Sequence, residues 1–150
     1  MIAYVDGSCL KNGSTNSSGG FGVVVLDDSE QLVECHQKFC EGTTNNQEEL
    51  KAILYVLLKY GYIWENLVVY SDSSYCVNSL TDWIFKWARN GWLKSDNQPP
   101  ENLHLMKTFY DLFQRGYKMD LRKVKGHVGV KWNEIADGLA TGRLAAADIK

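Results

Sequence analysis

The sequence has 150 residues, 45% of them hydrophobic and 12% aromatic, with only two prolines, which is enough chain for one globular domain, residues 1–150, with a full core. A net charge of -2 and an isoelectric point near 5.9 argue against a protein that coats nucleic acid through a broad basic surface. The longest apolar run, Ala52 to Leu58, is too short to cross a bilayer, no signal segment opens the chain, and Cys9, Cys35, Cys40 and Cys76 show no zinc or C-x-x-C spacing. The expectation is a cytoplasmic protein with free thiols and no membrane association.

The chain opens on a short apolar strand that closes on Asp6 and is followed at once by Gly7 and Ser8. Cys9 to Gly20, rich in Gly, Ser and Asn, reads as a hairpin loop. Phe21–Leu26 and Gln31–Phe39 follow as strands joined by the polar turn Asp27-Asp28-Ser29-Glu30, so three antiparallel strands are predicted. Thr43 to Leu50 reads as a helix start with Asn45 as N-cap and Glu48 in the position of a capping-box partner. The helix runs to about Tyr60 and stops at Gly61. At about 100° per residue, Glu49 falls inside the apolar arc of Leu50, Ile53, Val56, Leu57 and Tyr60 and points at the sheet. Glu48 falls among Lys51 and Lys59, as a cap and surface residue.

Leu67–Ser71 is the next strand, and the helical crossover before it predicts pairing parallel to the first. Asp6 and Asp72 would then lie side by side in a crevice at the carboxyl ends of two strands, where α/β sheets bind ligands. Ser73–Leu80 and Asp82–Gly91 read as two short helices, the second carrying Trp83, Phe85 and Trp87, with Trp92 just beyond and a polar loop to Pro100. Glu101–Arg115 is a further helix, Lys118–Val124 a fifth strand, and Gly126-His127-Val128-Gly129 a flexible loop. A final helix runs from Lys131 to about Ala147. On it Asp137 lies within about 60° of Ala140 and Leu144, facing inward at the edge. The fold class predicted is α/β, with helices flanking a five-stranded mixed sheet.

Four carboxylates gathered at one point repel each other, and hard divalent cations with oxygen ligands are the usual counterweight. A metal site that works on phosphate is therefore expected. Two local basic patches sit on the acidic body: Lys86, Arg89 and Lys94 without an acid between Trp83 and Lys94, and five cations against Asp120 between Lys118 and Lys131. Read alone, Asp6 or Asp72 is as readily a turn residue, Asp137 a partner for Arg143, and His127 a residue that bonds its own loop. His36 and His104 read as structural.

The ordered set of Asp6-Gly7-Ser8-Cys9, Thr43-Thr44-Asn45-Asn46 through Glu49-Leu50, Ser71-Asp72-Ser73 and Lys125-Gly126-His127-Val128-Gly129 through Asn133-Glu134 and Asp137 resembles ribonuclease H, type 1, over nearly the whole chain. The resemblance implies a ribonuclease H-like fold and endonucleolytic hydrolysis of the RNA strand of RNA/DNA hybrids by a monomer. It implies metal-binding acids at Asp6, Glu49, Asp72 and Asp137 holding two Mg2+ ions, with Mn2+ as an alternative, and an active-site histidine at His127. The segment Asp82–Asn97 is similar to the family's basic handle, with Trp83, Trp87 and Trp92 placed to pack on deoxyribose and Lys86 and Arg89 to meet phosphate. Thr44, Asn45, Asn46 and Asn12 have the donors and acceptors that recognise a 2′-hydroxyl. Ser74 stands where family members often carry a glutamine, and the handle is sparse in cations. Rival readings are a nuclease or strand-transfer domain of the wider superfamily and a hybrid-binding module whose acids hold only structural metal.

Overall fold

The computed structural model describes residues 1–10, 18–63, 66–124 and 131–149. Strands β1 (Ile2–Leu10), β2 (Ser18–Leu26) and β3 (Leu32–Glu41) come first. Helix α1 (Asn45–Tyr60), strand β4 (Val68–Ser71), helices α2 (Ser74–Asn78), α3 (Ile84–Arg89) and α4 (Leu103–Gln114), strand β5 (Asp120–Lys123) and helix α5 (Lys131–Thr141) follow. The sheet order is β3-β2-β1-β4-β5. β1–β2 and β2–β3 are antiparallel, whereas β1–β4 and β4–β5 are parallel. The alternation and crossover in the sequence thus give the predicted five-stranded mixed sheet.

Side chains alternate across β1 and β2. Ala3, Val5, Val23 and Val25 meet Leu50, Ile53, Val56 and Leu57 of α1 and Met106 and Phe109 of α4 in one core. Val24 and Leu26 meet Ala136 and Leu139 of α5 in a second, smaller one on the opposite face. Each fully buried aliphatic side chain in these layers contributes about 1.5–3 kcal/mol of transfer free energy before entropy is charged against it. The β2–β3 turn is closed by Asp27, whose Oδ1 accepts from the amides of Ser29 and Gln31, each at 2.9 Å. This is the local bonding that favours Asp in turns.

The start of α1 departs from expectation. Thr44 is the N-cap, extended at φ -131 and ψ 163, and its hydroxyl accepts from Gln47 N at 3.1 Å. Asn45 is already helical, so Gln47 rather than Glu48 stands at the third position. Glu48, expected on the surface, is 1% exposed. Thr43 Oγ1 and Lys51 Nζ each donate to its Oε2 at 2.6 Å, while Oε1 has no hydrogen-bond partner. The reason is the close approach of α1 to β1: a Cβ on Gly7 would lie 2.6 Å from the carbonyl carbon of Glu48, so the sheet covers a face that an isolated helix would leave in water.

The two short helices after β4 form one run, because a π-helical stretch, Ser79–Trp83, joins α2 to α3. α5 is shorter than predicted. It ends at Thr141, where Gly142 takes φ +79 and turns the chain back, and a 3-10 turn follows at Ala146–Asp148. All four cysteines are free thiols, and no helix among the described residues is long and apolar enough to cross a membrane.

Candidate active site

Two glycines bring the helices to the strand that opens the site. A Cβ on Gly7 would lie 2.2 Å from the backbone nitrogen of Glu49, and one on Gly22 would lie 2.4 Å from the carbonyl oxygen of Ala136. No side chain fits at either place, so α1 lies against one face of the β1–β2 pair and α5 against the other. Gly22 is the partner of Asp6 across that pair. Tyr4 pairs with Tyr70 in the parallel ladder, and the same offset carried two residues on sets Asp6 level with Asp72.

Asp6, Glu49 and Asp72 each offer a carboxylate oxygen within 4.8 Å of the others. Asp6 is 6% exposed and Glu49 3%, while Asp72 is more open. Glu49 Oε1 accepts from the Gly7 amide at 2.8 Å and Oε2 from Ser71 Oγ at 2.7 Å, so both oxygens are fixed. Ser71 Oγ in turn accepts from Ser73 N at 3.1 Å, and Ser73 caps α2. The alternation of β4 that points Val69 and Ser71 inward is the sequence signal for Ser71, which the motif reading passed over. β1 does not close on Asp6 as expected but runs on to Leu10, which puts Gly7 inside the strand, where a glycine is the signal of a close backbone approach.

Asp137, on α5, is near enough to raise the proton affinity of Asp6, but it is not among the three acids whose oxygens come together, and it does not face inward as expected. Its side chain is 54% exposed and pairs with Arg143 Nη2 at 3.5 Å. Ala136, Leu139 and Ala140 form the buried line of α5, and Asp137 stands beside that line. It opens with Asp72, Asn133, Glu134 and Arg143 onto a recess.

Burial, then the charge of Glu49, then the hydrogen bond with Asp137 push the Asp6 carboxyl well above the usual carboxylate range. Burial also raises Glu49, against the hydrogen bond from Ser71, which lowers it, and with the charge of Asp72, which raises it. No ion pair among the described residues neutralises Asp6, Glu49 or Asp72. An all-oxygen donor set, two members buried and held in fixed orientation with one side open, fits a hard divalent cation. Cys76, beside them, is no nucleophile: burial pushes its thiol up to about 12, with a hydrogen bond from Ser73 opposing.

Thr44, Asn45 and Asn46 lie at the start of α1, within five residues of Glu49. Ser74 opens α2, and its hydroxyl accepts from Lys123 Nζ. Trp83, at 37% exposure, is open to solvent, whereas Trp87 and Trp92 pack onto the core. Trp92 has φ +63, a backbone region that bulky residues rarely adopt. Its ring stands edge-on to Tyr110 at 5.5 Å, so it anchors the segment as well as offering a face. Lys86 pairs with Asp82 at 3.4 Å and Arg89 closes α3, exposed. Asn12, His127 and the Gly126–Gly129 loop lie outside the described residues.

The fold and these carboxylates define an α/β protein with an all-oxygen candidate metal site at the carboxyl end of β4, where β1 runs on beside it. The RNase H family model matches residues 1–145. A ribonuclease H of Cereibacter sphaeroides is 36% identical over 148 residues, covering 97% of this chain and 95% of its own length. A crystal structure of LC9 ribonuclease H1, described as a type 1 enzyme with the type 2 active-site motif, superimposes with a TM-score of 0.75 at 30% identity, over 93% of this chain and 69% of that one. The fold also recurs, with a TM-score of 0.82 at 19% identity, in a foamy viral protease-reverse transcriptase solved with an RNA/DNA hybrid. That match takes 93% of this chain but spans only 19% of the viral one. The chain belongs to the ribonuclease H family, whose members depend on divalent metal.

Proposed function

We propose that this chain is an endoribonuclease that hydrolyses the RNA strand of RNA/DNA hybrids, nearly independently of sequence, leaving 5′-phosphate and 3′-hydroxyl ends. The carrying observation is the group of Asp6, Glu49 and Asp72 oxygens within 4.8 Å of one another, in a chain of this family. Asp6, Glu49, Asp72 and Asp137 are assigned as ligands of two Mg2+ ions, with Mn2+ as the substitute. Such ions, when bound, supply an activated water and neutralise charge on the phosphate.

The chain's own residues do the rest. Gly7 N–H and Ser71 Oγ hold both oxygens of Glu49, so this ligand needs no reordering. The openness of Asp72 and Asp137 leaves the approach for a phosphodiester. Thr44, Asn45, Asn46 and Asn12 are assigned to the 2′-hydroxyls and sugar edges, and Ser74 to the minor groove. Trp83, Trp87 and Trp92 are assigned to deoxyribose, and Lys86 and Arg89 to phosphates of the DNA strand. Asp82 competes for Lys86, which predicts a weaker grip than a fully basic segment gives. His127 is assigned a proton-transfer or product-release role secondary to the acids. The protein is taken to act as a monomer in the cytoplasm.

The test is cleavage of an end-labelled RNA/DNA hybrid beside RNA/RNA, DNA/DNA and single-stranded RNA, with Mg2+, with Mn2+ and with chelator. The expected outcome is metal-dependent cutting of the RNA strand of the hybrid alone, with Asp72→Asn slower by about a hundredfold or more. A hybrid that stays whole under every metal condition while still being bound overturns the enzyme reading in favour of a binding module.

A further inference from the structure

We propose that Arg143 is a phosphate-binding residue of the RNA strand, held by Asp137 in the free protein and released to the backbone phosphate next to the scissile one when hybrid and metal bind. This rests on the function proposed above. Its ground is the way the chain delivers one guanidinium into a recess otherwise lined by Asp72, Asn133, Glu134 and Asp137.

The backbone on both sides of Arg143 is anchored. Gly142, at φ +79, reverses the chain, and Leu144 N donates to Gly138 O at 3.0 Å. Both side chains fold back over Gly138, where a Cβ would lie 2.6 Å from Leu144 Cδ1 and 3.1 Å from Arg143 Nη2. Gln37 on β3 then locks the segment. Its Nε2 donates to the carbonyls of Leu139 and Leu144, each at 3.0 Å, and its Oε1 accepts from Ala146 N at 2.7 Å. Leu144 packs into the smaller core.

The side chain between these anchors is left 63% exposed, and its partner Asp137 is 54% exposed. An ion pair that open adds little to stability, so the clamp is out of proportion to a structural role for the pair. Guanidinium matches phosphate with a planar fork of donors. An RNA strand with one phosphate at the carboxylates lays a neighbouring phosphate beside them, into a recess that would otherwise present it with acids. With a divalent cation on its carboxylate, Asp137 would no longer hold the Arg143 fork.

The experiment compares wild type, Arg143→Gln and Arg143→Lys in steady-state hybrid cleavage with Mg2+ at several salt concentrations. Hybrid affinity is also measured by fluorescence anisotropy for the same changes with all four acids intact and Ca2+ in place of Mg2+. The assignment expects Arg143→Gln to raise KM and Kd about tenfold, to flatten the logarithmic salt dependence by about one, and to leave kcat within about twofold. Arg143→Lys should recover part of the loss in KM but not all, and melting temperatures should stay within about 2 °C of the parent. If wild type cuts the hybrid and Arg143→Gln keeps its KM, Kd and salt slope, the Arg143 assignment falls and the function stands. A drop in melting temperature with unchanged KM also overturns it, in favour of a structural residue. If wild type does not cut the hybrid, the function falls and takes the assignment with it.

Discussion

At the scale of single residues, the site is a place where the chain holds unfavourable charge. Asp6 and Glu49 are buried next to Asp72, whose charge raises the proton affinity of both. Replacing Asp72 by Asn should therefore raise the melting temperature of the metal-free protein by about 2–5 °C, while removing cleavage. A scanning-calorimetry trace in chelator reads this directly; a lower melting temperature would show that Asp72 supports the fold instead. Glu48 is a different kind of buried acid. Its Oε2 is bonded by Thr43 and Lys51, yet Oε1 has no partner, and a buried ion pair rarely recovers the cost of its dehydration. Glu48→Met is expected to change stability by between 0 and about +2 kcal/mol, measured by urea unfolding. A loss of several kcal/mol would mean that the pair is net stabilising.

At the scale of elements, the site depends on how close helices come to the sheet. Gly7→Ala puts a methyl group into the backbone of α1 at Glu49, which no rotamer relieves. We expect a loss of about 3 kcal/mol or more, together with a fall in kcat beyond what unfolding explains, since Glu49 moves with its helix. Stability and kcat measured on the same sample check it, and unaltered kcat in the folded fraction would contradict it. This coupling explains what was legible in the sequence. Glu49 could be picked out because helix geometry alone points it at the sheet, and Asp6 and Asp72 because each follows a short apolar run, although β1 runs on past Asp6 to Leu10. Glu48 could not, since its burial comes from the close approach of α1 to β1 at Gly7, a tertiary effect with no local signature. The single run through α2 and α3 was there to be read: Cys76, Leu80 and Ile84 are four residues apart and buried together across the π-helical stretch, one continuous face that the polar pair Thr81 and Asp82 interrupts only on the outside. Asp137 was placed correctly on α5 but turned too far inward, because the early stop at Gly142 removes the last turns that would have defined the helix face.

At the scale of the molecule, pH acts on the two halves of the charge pattern in opposite directions. Burial raises the Glu34 carboxyl, but hydrogen bonds from Lys59, Tyr60 and Tyr55 outweigh it and leave it below 4.5. A depressed carboxylate stabilises the fold above its unfolded value and loses that stabilisation as pH falls through the folded one. Glu34→Gln should thus flatten the decline in stability below about pH 4.5, and an unchanged acid limb in pH-dependent unfolding would count against it. Asp6 and Glu49 are raised, so the metal-free protein loses stability as pH rises through their folded values, and divalent metal should restore it with release of protons. The two sides of the sheet are also unequal. α5 rests on a small cluster around Val24, Leu26, Ala136 and Leu139, while β1 and α1 share the larger core. Amide hydrogens of α5 should exchange sooner than those of β1 and α1, by a local opening that leaves the larger layer closed. Each such opening would carry Asp137 away from the three acids while they stay assembled, so the site would come apart one ligand at a time, as a breathing motion of one layer.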